Sequence, residues 1–188
     1  VLDQGDDAPA TNTVTTLDSR GDTSPFDSHS ITVSSDTLGS VTMAGEGASS
    51  AHSALDTTAA GDIFDNGFGI ASPASSDAES GSLLYTLPSI MDDLTVTASY
   101  SAGKAAQEST TAFAVTYAGI DGLSVSYGAG EMGSTTVASS GDVTTMKASY
   151  AYGSFTGAYS NTEVDYNTGG NDDEISSWKV SYTVTDDL

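Results

Sequence analysis

Two histidines, His29 and His52, are the only imidazole side chains in this sequence. To act as the base of a covalent reaction, either would need a nucleophile and an orienting group within hydrogen-bonding distance. The chain has no cysteine, no Gly-x-Ser-x-Gly turn and no phosphate-binding glycine motif ahead of a helix. We therefore expect no catalytic site and no enzyme. A hydrolase that uses His52 and a nearby serine is the alternative left open.

Metal binding has one candidate, the acidic stretch "DYNTGGNDDE" at 165–174. Asp165 and Asn167 match the first and third positions of a helix-loop-helix calcium site. Ser176, however, stands where that site requires a bidentate glutamate. Because cysteine is absent, thiolate zinc sites are excluded as well. We expect no metal site and no cofactor, only a solvated loop that gathers divalent ions loosely.

The charge of the chain excludes one class of partner. It carries 26 acidic residues against 4 Lys and Arg, a net charge of −22, so the phosphate backbone of a nucleic acid would be repelled. No run approaches the ~20 apolar residues that a membrane-spanning helix requires. The chain begins with Val1 rather than Met and has no signal peptide, so we expect a processed chain or a fragment.

Most of the sequence alternates between apolar and hydroxyl side chains. In "DDLTVTASYS" at 92–101, Leu94, Val96, Ala98 and Tyr100 alternate with Thr and Ser, and no charge interrupts the run after Asp93. Strict alternation predicts a β-strand with two unlike faces. Nine strands are predicted, at 30–35, 39–47, 82–87, 93–102, 110–118, 122–129, 143–152, 154–162 and 175–184.

The connections between these strands alternate in length. Residues 1–28 are predicted to be a loop, 47–80 form a long polar segment, and 81–188 form a meander with short and long connections in turn. This order predicts a single all-β domain, an antiparallel up-and-down sheet with short connections at one end and long connections at the other.

Aromatic residues fall near the ends of the apolar face, with small aliphatic residues between them. Two aromatic bands around an aliphatic belt are typical of a transmembrane β-barrel, whose outer face meets lipid and whose inner face meets confined water. The aromatic residues assigned to the membrane interfaces are Tyr100, Tyr117, Tyr127, Tyr150, Tyr152, Tyr159, Trp178 and Tyr182. A soluble β-sandwich, as in an acidic surface adhesin or a secreted β-protein without pore activity, is the alternative.

The block "GSLLYTLPSIMDDLTVTASYS" at 81–101 resembles the general porins of Gram-negative outer membranes. The hairpin "LGSVTMAGEG" at 38–47 is similar to the strand pair before the porin constriction loop, and "ALDTTAAGDIFDN" at 54–66 takes that loop's place. The resemblance implies about nine strands of a 16-stranded barrel and a homotrimer in contact with outer-membrane lipid and lipopolysaccharide. It also implies passive diffusion of small hydrophilic solutes and ions, with 1–28 as an extracellular loop and 47–80 as the pore-constricting loop.

On that resemblance, charged residues of two signs are expected to face each other at the constriction. The acidic excess then predicts a preference for cations. Lys147 and Lys179 share the hydroxyl face, which agrees with this assignment because a lysine facing lipid at the midplane would cost ~2 to 4 kcal/mol. The expected constriction residues are Asp56, Asp62, Asp65, Asp77 and Glu79 in the loop and Lys147 and Lys179 on the wall.

Overall fold

The computed structural model describes residues 2–3, 28–46, 49–55, 59, 73–76, 81–103, 108–133, 140–168 and 172–184. The regular secondary structure in these residues is entirely β-strand. The strands are β1 (Leu2–Asp3), β2 (Ser28–Ser35), β3 (Gly39–Glu46), β4 (Ser82–Thr86), β5 (Leu94–Ser101), β6 (Thr110–Ile120), β7 (Leu123–Met132), β8 (Gly141–Tyr152), β9 (Phe155–Tyr166) and β10 (Asp173–Tyr182).

All ten strands belong to one antiparallel sheet, and each pairs with its neighbours in the chain, in the order β1 to β10. The predicted all-β, up-and-down architecture is confirmed, and the nine predicted strands correspond to β2–β10. The two-residue β1, which pairs with Ser28 and His29, is an addition inside the segment predicted as loop. Within the described residues β1 and β10 do not pair, so the sheet is an open arc. No helix in the described part of the chain is long and apolar enough to cross a membrane.

The two-residue connections β6–β7 and β8–β9 lie at one end of the sheet, and the longest connection, between β3 and β4, lies at the other. Two of the tight turns depend on a glycine in the left-handed region, where other residues are strained. Gly122 has φ 74° between β6 and β7, and Gly153 has φ 58° between β8 and β9. A Cβ at position 122 would also collide with the carbonyl oxygen of Ala151 on β8. These turns limit the register of the hairpins because each contains only two residues.

Several strands continue past their predicted limits at the end with long connections. β7 reaches Met132, β8 starts at Gly141 and β9 reaches Tyr166, so the connections there are shorter than expected. The alternation pattern did not predict these strand ends because acidic residues occupy outer-face positions there. Glu131 pairs opposite Asp142, and Asp142 pairs opposite Asp165. Backbone pairing continues through these positions even though their side chains are not apolar.

The two faces of the sheet separate as the alternation predicts. The aliphatic and aromatic face, called the outer face, is solvent-accessible, with Val180 67% and Trp178 74% exposed. The hydroxyl face, called the inner face, contains the buried positions, and Val143 and Thr145 on β8 are 0% and 1% exposed. Opposed hydroxyls pair across neighbouring strands, as in Thr116–Ser126, where the Oγ1 and Oγ atoms lie 3.0 Å apart. The inner face therefore satisfies many of its own polar groups.

Trp178 is the only tryptophan in the chain and tests this separation of faces. If the outer face contacts acyl chains, bromine on the lipid tails should quench the Trp178 emission strongly, and aqueous acrylamide should quench it weakly. The measurement is steady-state fluorescence of the protein in bilayers, with Trp178→Phe providing the baseline.

Moving the reporter to the opposite face provides the control. In Trp178→Phe/Ser181→Trp the fluorophore occupies an exposed inner position of the same chain segment. Quenching should then be stronger with acrylamide than with brominated lipid. Equal acrylamide quenching at the two positions would contradict the assignment of the faces.

Candidate functional site

The long connection between β3 and β4 turns onto the inner face of the sheet. Its described parts, residues 49–55, 59 and 73–76, are called the inward segment. Ala51 is 1%, His52 0% and Ala59 5% exposed, so the inward segment is packed against the wall rather than projecting into solvent. In the part of the chain that the structure describes, this is where the protein has its buried core.

The inward segment occupies a hollow formed by small side chains. On the inner face of β6 and β7, Ala112, Ala114, Gly128 and Gly130 replace the hydroxyl residues found elsewhere on that face. Cβ atoms at these glycines would press against the inward segment. One at Gly128 would lie 3.1 Å from His52 Cδ2, and one at Gly130 would lie 2.6 Å from Ser76 Cβ. The hollow thus exists because glycine and alanine leave the space.

His52 links the two parts of the inward segment to the wall. The backbone N–H of Ser76 donates to His52 Nδ1 at 3.1 Å, so Nδ1 is the unprotonated ring nitrogen. In the neutral ring the proton is then on Nε2, which donates to Thr145 Oγ1 at 2.9 Å. Thr145 Oγ1 lies 2.8 Å from Thr162 Oγ1 on β9. One chain of hydrogen bonds therefore runs from the inward segment through β8 to β9.

The burial of His52 determines its charge. Removal from water disfavours the imidazolium form, and burial lowers the pKa of His52 from 6.5 to about 4. At neutral pH the ring is uncharged, which the hydrogen-bond chain requires.

Other hydroxyls of the wall bind the backbone of the inward segment. Ala51 N–H donates to Ser99 Oγ on β5 at 2.8 Å. Ala59 N–H is shared between Ser160 Oγ on β9 and Ser177 Oγ on β10, each at 3.0 Å. These contacts extend over β5, β9 and β10, so the inward segment is attached across much of the arc.

The inward segment also has internal hydrogen bonds. Ser50 Oγ lies 2.6 Å from Ser76 Oγ and accepts from the backbone N–H of Ser53 at 2.9 Å. Ala54 N–H donates to the Ser50 carbonyl at 3.0 Å, which forms a single turn. All buried side-chain nitrogen and oxygen atoms among the described residues have a hydrogen-bond partner.

The predicted wall lysines lie on the inner face. Lys147 on β8 is half-buried between Ser126 and Ser160, and Lys179 on β10 is exposed opposite Ala158. β9 separates their two strands, so the lysines are roughly 10 Å apart across the sheet. Both lysines therefore place positive charge on the inner face.

The acidic half of the expected constriction falls outside the described residues. This applies to Asp56, Asp62, Asp65, Asp77 and Glu79. Their described neighbours Leu55, Ala59 and Ser76 are buried against the wall.

The eight aromatic residues assigned to the membrane interfaces are on the outer-face positions of β5–β10, and their contact with a membrane interface remains a prediction. Ring pairs form between Phe155 and Tyr182, with centroids 4.7 Å apart, and between Tyr150 and Tyr152, at 6.5 Å.

The two other chemical candidates can now be placed. His52 has both ring nitrogens occupied and no exposed surface, so an external substrate cannot reach it in this conformation. In the stretch considered for calcium, Asn167 Nδ2 donates to Ser140 Oγ at 3.2 Å. Among the described residues, no group of three or more His, Asp or Glu side chains is arranged to hold a metal ion.

Sequence reasoning missed the role of the small inner-face residues and of His52 as an attachment point. A usable signal was present in "TAFA" at 111–114 and "GAG" at 128–130, where alanine and glycine interrupt a face otherwise made of hydroxyls. Small residues in a strand often mark the close approach of another chain segment.

Comparison with known proteins supplies one match. A family model described as Gram-negative porin matches residues 1–188, the whole of the chain. Neither a curated protein nor a solved structure matches the chain significantly.

Gly130→Ala tests whether the hollow determines how the inward segment docks. The added methyl would collide with both Ser76 and Ala112. Ala112 is held in the β6–β7 ladder, whereas Ser76 is not part of the sheet, so we expect the inward segment to move off the wall. Overpacking of this kind costs about 1–3 kcal/mol, which corresponds to roughly 5- to 150-fold faster amide exchange at Ala51, His52 and Ser76.

Gly157→Ala on β9 is the matched control, because no atom lies within 4 Å of the added methyl. Hydrogen exchange followed by mass spectrometry should detect no change there. Unchanged protection in Gly130→Ala would show that the hollow does not limit docking.

Proposed function

Because the chain belongs to the Gram-negative porin family, we propose that it forms the wall and the constriction of a passive aqueous channel for small hydrophilic solutes and ions. As a porin, it is located in the outer membrane. The observation that carries the proposal is the inward segment, which lies on the hydroxyl face of the sheet while the opposite face is apolar and exposed. A chain segment within the lumen reduces the cross-section available to solutes.

The chemistry of the inner face suits polar solutes. Serine and threonine hydroxyls both donate and accept hydrogen bonds, so they can replace part of the hydration shell of a sugar or an ion. An apolar solute cannot make these bonds and would have to displace ordered water without compensation. The family assignment does not favour the alternative of an acidic adhesin or secreted β-protein.

Two sets of charges would determine the ion preference. Lys147 and Lys179 form the basic side, and we place the loop carboxylates Asp56, Asp62, Asp65, Asp77 and Glu79 on the opposite side, with a net charge of −22 over the chain. The acidic excess raises the local cation concentration, so we propose a cation-preferring pore.

The membrane partners follow from the outer face. The exposed aromatic and aliphatic side chains of β5–β10 suit contact with outer-membrane lipid and lipopolysaccharide. Ile31, Val33 and Met43, on β2 and β3, form an exposed patch that is aliphatic rather than aromatic. We assign that patch to the contact between subunits of a homotrimer, where aromatic anchors at the lipid interface are not required.

Reversal potential across a salt gradient in planar bilayers tests this function. The wild-type channel should be cation-selective. Lys147→Gln should increase its cation-to-anion permeability ratio about fivefold at low salt, because a unit charge contributes ~0.5 kcal/mol in water to each ion type at a separation of about 8 Å.

Lys147→Arg keeps the charge and is the matched control, so its ratio should equal that of the wild type. Absence of ion-conducting channels from the pure protein would overturn the pore function itself. Clear anion selectivity in the wild type would overturn the assignment of the acidic side.

A further inference from the structure

We propose that His52 is a positioning residue that acts as a pH-sensitive latch, holding the inward segment against the barrel wall at neutral pH and releasing it in acid. The proposal rests on the proposed channel function and adds a control to its constriction. It depends on the geometry around one imidazole ring.

The two hydrogen bonds of His52 can form together only when the ring is neutral. Nδ1 accepts from the Ser76 N–H at 3.1 Å, and a backbone N–H cannot reverse its direction. If Nδ1 became protonated, two donors would face each other at that distance. The bond to residues 73–76 would be lost, while the bond from Nε2 to Thr145 Oγ1 could remain.

Among the described residues, no carboxylate faces His52 to compensate a positive charge. The described elements in contact with it include β7 through Gly128, β8 through Thr145, and the inward segment through Ser76. The described carboxylates of β7, β8 and β9 are Glu131, Asp142, Glu163 and Asp165, and their positions in the strands place all four on the outer face.

The inner-face charges nearest in register do not help either. Lys147 is two residues from Thr145 on the same face of β8, and its positive charge opposes a second cation there. Asp173, at the start of β10, accepts a hydrogen bond from the Tyr166 hydroxyl at 3.3 Å, whereas the two ring nitrogens of His52 bond to Thr145 and Ser76. Within the described residues, the protonated ring would thus be buried beside a cation and without an acidic partner.

The pH window follows from linkage between proton binding and docking. The docked ring has a pKa of about 4, whereas an undocked, hydrated ring titrates at 6.5. Between these values the undocked form binds more protons, so docking is fully stable above pH 6.5 and weakens as the pH falls towards 4. Over this window the docking equilibrium shifts by about two orders of magnitude towards release.

Release changes the current through the pore. When it is docked, the inward segment is attached to β5, β8, β9 and β10 and leaves a constant opening. When the ring is protonated, residues 73–76 lose their bond to His52 and are held to the rest of the inward segment only by the contacts of Ser76 with Ser50, so we expect this part to detach intermittently from the wall. Intermittent obstruction should then interrupt the ion flow.

Single-channel recording of the full, natively assembled protein between pH 7.5 and 4.5 tests the latch. The wild type should conduct steadily at pH 7.5, and partial closures should become at least tenfold more frequent in acid, with a midpoint between pH 6.5 and 4. His52→Gln retains an acceptor for Ser76 and a donor for Thr145 but does not titrate. It should conduct like the wild type at pH 7.5 and stay steady in acid.

The other histidine provides the matched control. His29 on β2 lies against Gly45 and has the same strand parity as Ile31 on the outer face, so His29→Gln should keep the wild-type pH response. Acid-induced closures that persist in His52→Gln would overturn the latch, and so would a wild-type channel that stays steady at pH 4.5. Failure to form any channel at pH 7.5 would instead overturn the proposed function.

A covalent lock separates release from other effects of acid. Ser50 Oγ and Ser76 Oγ, one on each part of the inward segment, are 2.6 Å apart, and the chain has no natural cysteine. In Ser50→Cys/Ser76→Cys the oxidised form should resist acid-induced closure, and reduction should restore the acid response. Equal acid sensitivity of the oxidised and reduced forms would show that movement of this segment does not cause the closures.

Discussion

The structure depends on one geometric constraint, the two-residue period of side chains along a strand. A shift of one residue in any pairing would exchange the two faces of that strand, placing Lys147 and Thr145 outside and Met146 inside. The tight turns prevent such a shift because each connects its two strands with almost no spare residue. Continuous pairing from β1 to β10 then transmits the same orientation across the whole arc.

This constraint explains why most of the fold could be predicted from the sequence. The alternation in "LTVTASY" or "SWKVSY" carries both the strand and its faces, and glycine marks the turns. The ends of β7, β8 and β9 could not be predicted as well, because Glu131, Asp142 and Asp165 interrupt the apolar pattern while the backbone ladder continues. Pairing of backbone groups does not require an apolar side chain at every outer position.

The site was less predictable because it forms between residues far apart in the chain. The inner-face position of Lys147 and Lys179 could be predicted from their place in the apolar–hydroxyl alternation of β8 and β10. The partners of His52 could not, since Thr145 is 93 positions away and nothing local in "SAHSA" specifies it. Only the cluster of alanine and glycine on the inner faces of β6 and β7 indicated that something packs there. A loop that is polar and irregular in sequence thus acquires a defined place through complementary space and through hydroxyls that accept hydrogen bonds from its N–H groups.

The same difference in chain distance has a consequence for the order of assembly. Hairpins such as β6–β7 close after a few residues, whereas Ala59 meets Ser177 only after 118 positions. Closing a short loop costs less entropy, so neighbouring strands should pair first and the long connection should dock on the sheet last. A newly made molecule would therefore pass through a stage in which its strands are paired but its inner face is still uncovered.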